Sequence, residues 1–340
     1  MRNNEMMEIQ KKIIPEVLDL MDLRYNLLLI IKANQPIGRR NLANTLGIGE
    51  RQVRNEIEFF HKQNFITVER QGISLSDKGE NILNQLKEVI YNYKNLDGLV
   101  EKVKHKLNID KVFIVPGDCT KNKMVLEFMG EILGKYIMGI VKPESVIGLT
   151  GGSSVAAVAS NMPEINLPKV TVLPARGGIG KSHSIQANSI VSTLAKKLHA
   201  QKEMLHLPDF IQKELLDALK EYPDIKEVFD KYQLIDIMIF GIGRADTMAK
   251  WRNLSKDKIE SIKEANAVAE AFGFFFNDQG QMVSPSSSVG ISLEDYKKIP
   301  HIIAIAGGKN KAEAILATSR IRNDLVLVTD ESASIEILKI

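Results

Sequence analysis

Three stretches of the chain carry residue types and spacings suited to holding an anion. The first is Thr150-Gly151-Gly152-Ser153-Ser154, which opens a helix running to about Ala159. Glycines let the backbone come close to a negative group and hydroxyls donate to it. The start of the following helix adds free N–H groups and the positive end of its dipole. The second is Pro174-Ala175-Arg176-Gly177-Gly178-Ile179-Gly180, with Gln186 and Asn188 soon after; Arg176 offers the planar fork that suits phosphate. The third is Gly307-Gly308-Lys309-Asn310-Lys311, again a glycine-rich helix start with a cation. Phe240-Gly241-Ile242-Gly243-Arg244 is a further glycine turn, but a single Gly-x-Gly is a weak signal. One glycine loop after a strand often serves only the turn. Three at one sheet edge point to an anion site, with phosphate as the expected guest.

Other chemistries find little support. The six histidines, at 61, 105, 183, 199, 206 and 301, show no pair at ligand spacing, so no metal is expected. No Gly-x-Ser-x-Gly elbow, Walker pattern or Gly-x-Gly-x-x-Gly fingerprint occurs. Catalytic residues and cofactors are therefore expected to be none. Trp251 and the 272–276 phenylalanine cluster suit a core or an interface, so Arg252 alone is taken from that region as a ligand contact. The lone Cys119 excludes an internal disulfide and fits a reducing cytoplasm. Residues 1–10 are polar and acidic, unlike a signal peptide, and no apolar run is long enough to cross a membrane.

What positions these loops is a rhythm of strand, loop and helix that starts near Lys111. Strands are expected at 112–115, 145–149, 170–173, 234–240, 302–305 and 325–328, with helices between most of them. That alternation predicts an α/β unit with a mainly parallel sheet, Rossmann-like in its layering. Ligands in such sheets sit at the carboxyl ends of the strands, where all three loops fall.

The first ninety residues follow a different pattern. An apolar-periodic helix over 13–31 gives way at Pro36 and Gly38 to a short helix over 40–46, a Gly47-Ile48-Gly49 turn and an amphipathic helix over 50–63. Two short alternating segments follow, 65–69 and 73–75, hinged at Gln71-Gly72. Helix, turn, helix and hairpin together predict a winged helix-turn-helix. A net charge of +3 is too small to argue nucleic-acid binding for the whole chain, but charge is local here. Arg39, Arg40, Arg51 and Arg54 face a single acid, Glu50. The solvent face of the second helix carries Arg51, Gln52, Arg54 and Asn55, side-chain types that pair bidentately with guanine and adenine in the major groove. Arg70, at the wing tip, suits a phosphate or the minor groove. Double-stranded operator DNA is the expected partner.

Between the two parts, 76–107 is mostly helical, with an apolar stripe from Ile82 to Val103 and an expected interruption at Asp97-Gly98. The stripe can pack on the first unit or on a second copy; a palindromic operator favours the copy. The expected division is 1–90 for the DNA-binding domain, a linker helix to about 108, and 109–340 for a ligand-binding and oligomerisation domain.

Taken together, the motifs resemble the SorC family of sugar-responsive bacterial repressors nearly end to end. They include Pro36-Ile37-Gly38-Arg39-Arg40, Leu46-Gly47-Ile48, Gln186-Ala187-Asn188, Arg252-Asn253, Glu270-Ala271-Phe272-Gly273, Ser288-Val289-Gly290, Lys311-Ala312-Glu313-Ala314 and Val328-Thr329-Asp330-Glu331, besides the loops above. The resemblance implies a repressor of lower-glycolysis genes with fructose 1,6-bisphosphate as inducer, and a ligand domain folded like phosphosugar isomerases and deaminases. It implies effector contacts at Thr150, Gly152, Ser153, Ser154, Arg176, Gly177, Gly178, Gln186, Arg252, Glu270 and Lys311. Ser153-Ser154 stand where the family pattern has two threonines, which keeps both hydroxyls. The two phosphates would divide between Lys311 with the Thr150 loop and Arg176 with Arg252, while Glu270 would accept from sugar hydroxyls. A dimer, and a dimer of dimers on DNA, is implied too. The alternatives are a regulator that senses another phosphorylated sugar, and an isomerase or deaminase using Glu270 or Asp118.

Overall fold

The computed structural model describes residues 13–178, 183–209, 211–284 and 289–340. Expectations touching residues 1–10, Ile179, Gly180 and Ser288 lie outside the described residues. The chain divides after Gly98; Leu99–Asp118 and Val125–Ile340 build the larger unit.

In the smaller unit, α1 (Pro15–Asn34) starts on a proline, whose fixed φ and missing N–H suit a first helical turn. It buries Leu27, Leu28, Leu29, Ile30 and Ile31. Helix α2 (Arg39–Leu46) ends at Gly47, which takes φ +67° and donates its N–H to Ala43 O. After that turn α3 (Glu50–Lys62) buries Val53, Ile57 and Phe60 at helical spacing. Glu56 is buried on the same side. It accepts from Arg24 Nε at 2.7 Å, and the Arg24 guanidinium lies 3.8 Å from the centre of the Phe59 ring. Strands β1 (Ile66–Glu69) and β2 (Gly72–Leu75) pair antiparallel with Glu69 opposite Gly72, so Arg70 and Gln71 form the hairpin tip. Ile37 bridges Ile73 and ties the hairpin back to the start of α2.

Helix α4 (Asp77–Tyr93) is capped by the Ser76 hydroxyl, which accepts from Gly79 N at 3.0 Å. It packs on α1 through buried Leu83 and Ile90, so part of the linker stripe is covered within this unit. The helix breaks at Asn95, which sits at φ +50°, and α5 (Leu96–Leu107) begins at once. The expected break at Asp97-Gly98 is thus two residues early in the structure. Asn tolerates the left-handed conformation, and Asp97 is left in a first helical turn where the dipole favours a carboxylate. The Asp97 carboxylate accepts from the Tyr91 hydroxyl at 3.0 Å; partial burial, and then this bond, push that phenol up to about 12.

The larger unit holds a sheet of ten strands among the described residues. Its parallel part runs β3 (Lys111–Val115), β12 (Val326–Asp330), β11 (His301–Ile305), β7 (Ile237–Arg244), β4 (Val146–Leu149), β5 (Thr171–Pro174) and β6 (Gln201–Lys202). All five residues of β12 are buried, as expected for a parallel strand covered on both faces. From β4 the chain moves outward to β5 and β6, then returns to lay β7 on the other side of β4. The crevice between β4 and β7 is therefore a topological switch point.

One expectation needs correction, and one region carried no expectation of strands. Residues 232–234 form a short 3-10 turn rather than the start of β7, and Leu234 is exposed. The 267–284 region is an antiparallel extension, β8 (Ala267–Ala271), β9 (Phe274–Asn277) and β10 (Met282–Ser284), hung on the last three residues of β7. Its phenylalanines do serve packing: Phe272 stacks on Tyr296 with ring centres 4.1 Å apart and meets Phe240 edge-on at 5.2 Å. Among the described residues no helix is long and apolar enough to cross a membrane.

Candidate functional site

A cleft of about 320 Å³ opens at the carboxyl ends of β4, β5 and β7, over the switch point. The three glycine-rich loops meet there. Thr150 donates its N–H to Ile239 O at 3.1 Å, which fixes the end of β4 beside β7. Gly152 then takes φ +118°, a region side chains rarely adopt, and its N–H reaches Ile185 O at 2.8 Å. The helix Ser153–Asn161 that follows has no side-chain cap on its first N–H groups, and its first two residues, Ser153 and Ser154, line the cleft. Lys311 enters from the turn after β11. That turn is braced by Gly308 N, which donates to the buried Asp330 carboxylate at 2.9 Å.

Arg176 leaves the end of β5 and is only 4% exposed. Its Nη1 donates to Glu270 Oε1 at 3.1 Å and its Nη2 to Asp209 Oδ1. Arg252, with a side chain 6% exposed, donates through Nη2 to the same Glu270 oxygen, and its Nη1 lies 3.6 Å from Asp209 Oδ2. Gly273 N adds a third donor to Glu270 Oε1 at 2.9 Å. This donor comes from the two-residue turn at Phe272-Gly273, where Phe272 sits at φ +35° and stacks on Tyr296. Two guanidiniums and two carboxylates thus share one buried cluster. Burial, and then the nearby Arg252 charge, push the Arg176 guanidinium below its ordinary range.

The cleft wall contains Thr150, Gly152, Ser153, Ser154, Arg176, Gly177, Gln186, Arg252, Glu270 and Lys311. Gly178 is not part of it; its N–H donates to Leu207 O at 2.9 Å. Gly177 serves packing as well as the wall, because a Cβ there would meet Pro208 O at 2.8 Å and Leu207 O at 2.9 Å. Asn188 is likewise structural: its amide clamps the backbone of Leu205, donating to Leu205 O at 3.0 Å and accepting from Leu205 N at 3.2 Å. Glu270 differs from expectation in that one of its oxygens is already taken by two arginines and a backbone N–H. Asp118, the other acid considered for catalysis, does not line the cleft.

Four functional positions carried little warning in the sequence. Asp209 completes the charged cluster, yet nothing in its local sequence marks it; the only hint is that two buried arginines require two acids. Arg244, Thr247 and Trp251 line the cleft from β7 and the short helix after it. Arg244 grips Asp246 through both nitrogens and holds that carboxyl down at about 2. Trp251, expected in a core or an interface, is 43% exposed at the cleft.

In the smaller unit Arg51, Gln52, Arg54 and Asn55 are all exposed on α3, opposite its buried face. Arg39, Arg40 and Arg70 are exposed too, with Arg40 paired to Glu50 at 3.2 Å in open solvent, where such a pair holds loosely.

Comparison with known proteins places both units. Residues 20–90 match the "CggR N-terminal DNA binding domain", and residues 91–339 match the family described as "Putative sugar-binding domain". The central glycolytic genes regulator of Priestia megaterium is 37% identical over 98% of both chains. That of Bacillus subtilis is 35% identical over 99% of both chains. A crystal structure from Enterococcus faecalis, described as "the putative SorC family transcriptional regulator", covers 71% of this chain and 99% of its own, with TM-score 0.66 and 35% identity. Fold and site therefore define a sugar-responsive transcriptional regulator, not an enzyme, with a DNA-binding unit joined to a sugar-binding one. Within that class the chain belongs to the family of the central glycolytic genes regulators.

Proposed function

We propose that this regulator represses a glycolytic operon through its winged helix-turn-helix and is released when fructose 1,6-bisphosphate fills the cleft. The observation that carries the reading is the placement of donors at both ends of one cleft. One end has the uncapped helix start, two hydroxyls and Lys311; the other has Arg176 and Arg252. A sugar with a phosphate at each terminus would engage both sets of donors, and the glycolytic regulators at 35–37% identity support the choice. Trp251 is the sole tryptophan and lines the cleft, so its fluorescence is expected to change on binding. Titration by fluorescence and calorimetry, with the bisphosphate beside fructose 6-phosphate and fructose 1-phosphate, tests the idea. Equal affinity for a monophosphate would sink the two-phosphate reading.

A monophosphorylated sugar is the second reading. It is favoured by Asp209 and Glu270, which match the two arginine charges and so suit a hydroxyl-bearing ligand end.

The active species is a dimer or larger. Ile13 just before α1, Val17 and Leu20 on α1 and Val89 on α4 are exposed apolar side chains, the kind of surface a second copy covers. Sedimentation is expected to show at least a dimer both free and on operator DNA; a monomer in both states contradicts the assignment.

A further inference from the structure

We infer that Asp209 is a positioning and specificity-determining residue for the ligand, acting on the cleft from behind the two arginines. This rests on the reading of the cleft as a phosphosugar site. Asp209 does not line the wall, whereas Arg176, Arg252 and Glu270 do. Its carboxylate accepts from Arg176 Nη2 through one oxygen and lies 3.6 Å from Arg252 Nη1 through the other, so it reaches both guanidiniums without itself lining the cleft. Its backbone is fixed independently of that contact. Asp209 N donates to Gly178 O at 3.0 Å, and Asp209 O accepts from Val289 N at 2.8 Å. Upstream, Asn188 clamps Leu205, and the missing side chain of Gly177 lets Leu207 and Pro208 lie directly against the end of β5. The segment from Leu205 to Asp209 thus delivers one carboxylate to one place.

Two consequences follow for the ligand. Asp209 fixes the planes of both guanidiniums, and both arginines form part of the cleft wall. It also sets the charge offered there: two arginines against one glutamate would present +1, and Asp209 brings the cluster to zero. A neutral cluster with oriented donors and acceptors discriminates by hydrogen-bond pattern rather than by bulk anion attraction. It therefore favours a sugar that brings hydroxyls with its phosphate over inorganic phosphate alone, since unmatched buried polar groups are penalised. Glu270 cannot take this role, because it faces the ligand itself and is anchored by Gly273 N.

The test compares wild type with Asp209→Asn and Asp209→Glu, each as the full chain, by calorimetry with fructose 1,6-bisphosphate and with inorganic phosphate. Asp209→Asn keeps the shape and an acceptor but removes the charge. Inorganic phosphate is expected to bind this variant roughly tenfold or more tighter, because one charge within about 10 Å in a medium of effective dielectric about 20 changes affinity by at least that much. The preference for the sugar over inorganic phosphate should shrink by a similar factor. Asp209→Glu keeps the charge and should stay close to wild type in that preference. Should Asp209→Asn fail to fold, Asp209→Glu decides alone: loss of the wild-type preference overturns the charge-setting role. Equal binding of phosphate by wild type and Asp209→Asn, or weaker binding by the latter, also overturns the assignment while leaving the cleft reading intact. Absence of any phosphate or phosphosugar binding in all three proteins overturns both.

Discussion

Arg252→Ala is expected to abolish the response to sugar while leaving sugar-free operator binding unchanged. The Arg252 side chain reaches Glu270 Oε1 and approaches Asp209 Oδ2, and it forms part of the cleft wall. Truncation removes one donor to the ligand and changes the sign of the cluster, leaving Arg176 to face two carboxylates. A net negative wall repels the phosphate that the neutral wall admitted. Breaking a buried charge pair from one side also costs about 3–5 kcal/mol of stability, so the variant should melt earlier and must be assayed well below its transition. Operator affinity is the informative readout. In wild type, coupling of the usual size, about 1–3 kcal/mol, changes that affinity roughly 5–150-fold when sugar binds. A ligand that no longer binds shifts no equilibrium, so the variant should give one operator affinity with and without sugar. The candidate DNA contacts, residues 39–70, lie in the other compact unit, so the sugar-free affinity should stay within about twofold of wild type, inside the scatter expected for independent sites. A variant that still lets go of DNA at the same sugar concentration would remove Arg252 from the site.

How much of this was legible in the chain depended on whether the signal was local. The Thr150 and Gly307 loops announced themselves because a parallel strand must end, and the glycines, hydroxyls and lysine that follow are contiguous. Helix α3 was legible for the same reason, since Val53, Ile57 and Phe60 sit at helical spacing and leave Arg51, Gln52, Arg54 and Asn55 on the far face. The antiparallel extension was not. Phe274, Phe275 and Phe276 are three aromatics in a row without period-two alternation, so the strand they form reads as a plain apolar cluster. The linker break was misplaced because a glycine is the stronger punctuation in sequence, yet Asn95 took the left-handed position and Gly98 stayed helical. Asp209 was invisible because its partners lie 33 residues before it and 43 residues after it, and its backbone has no regular structure. Only the fold shows that two arginines converge, and only then does the need for a second acid become apparent.

The second large effect lies on α3. Replacing Arg51, Gln52, Arg54 and Asn55 together by alanine is expected to remove specific operator binding while leaving the sugar response of the larger unit intact. All four are exposed, and the helix is held from its other face by Val53, Ile57 and Phe60. Alanine is the best helix former, so the fold of the unit should survive the change. A bidentate contact from Arg to guanine, or from Gln or Asn to adenine, contributes about 1–3 kcal/mol of discrimination. Losing even two such contacts therefore takes away about half of the typical margin of about 4–10 kcal/mol between specific and non-specific binding, and losing all four removes essentially all of it. The single variants separate two roles. If Arg54 contacts a base edge, Arg54→Ala lowers affinity for the operator and relaxes preference at one position, with little change in salt dependence. If it contacts a phosphate, all sequences weaken alike and the slope of log affinity against log salt falls by about 0.9. Arg70 at the hairpin tip is expected to behave in the second way. Footprinting across the salt series, alongside Trp251 fluorescence to show that sugar still binds, distinguishes these outcomes; unchanged protection by the quadruple variant would mean that another face of the unit meets the DNA.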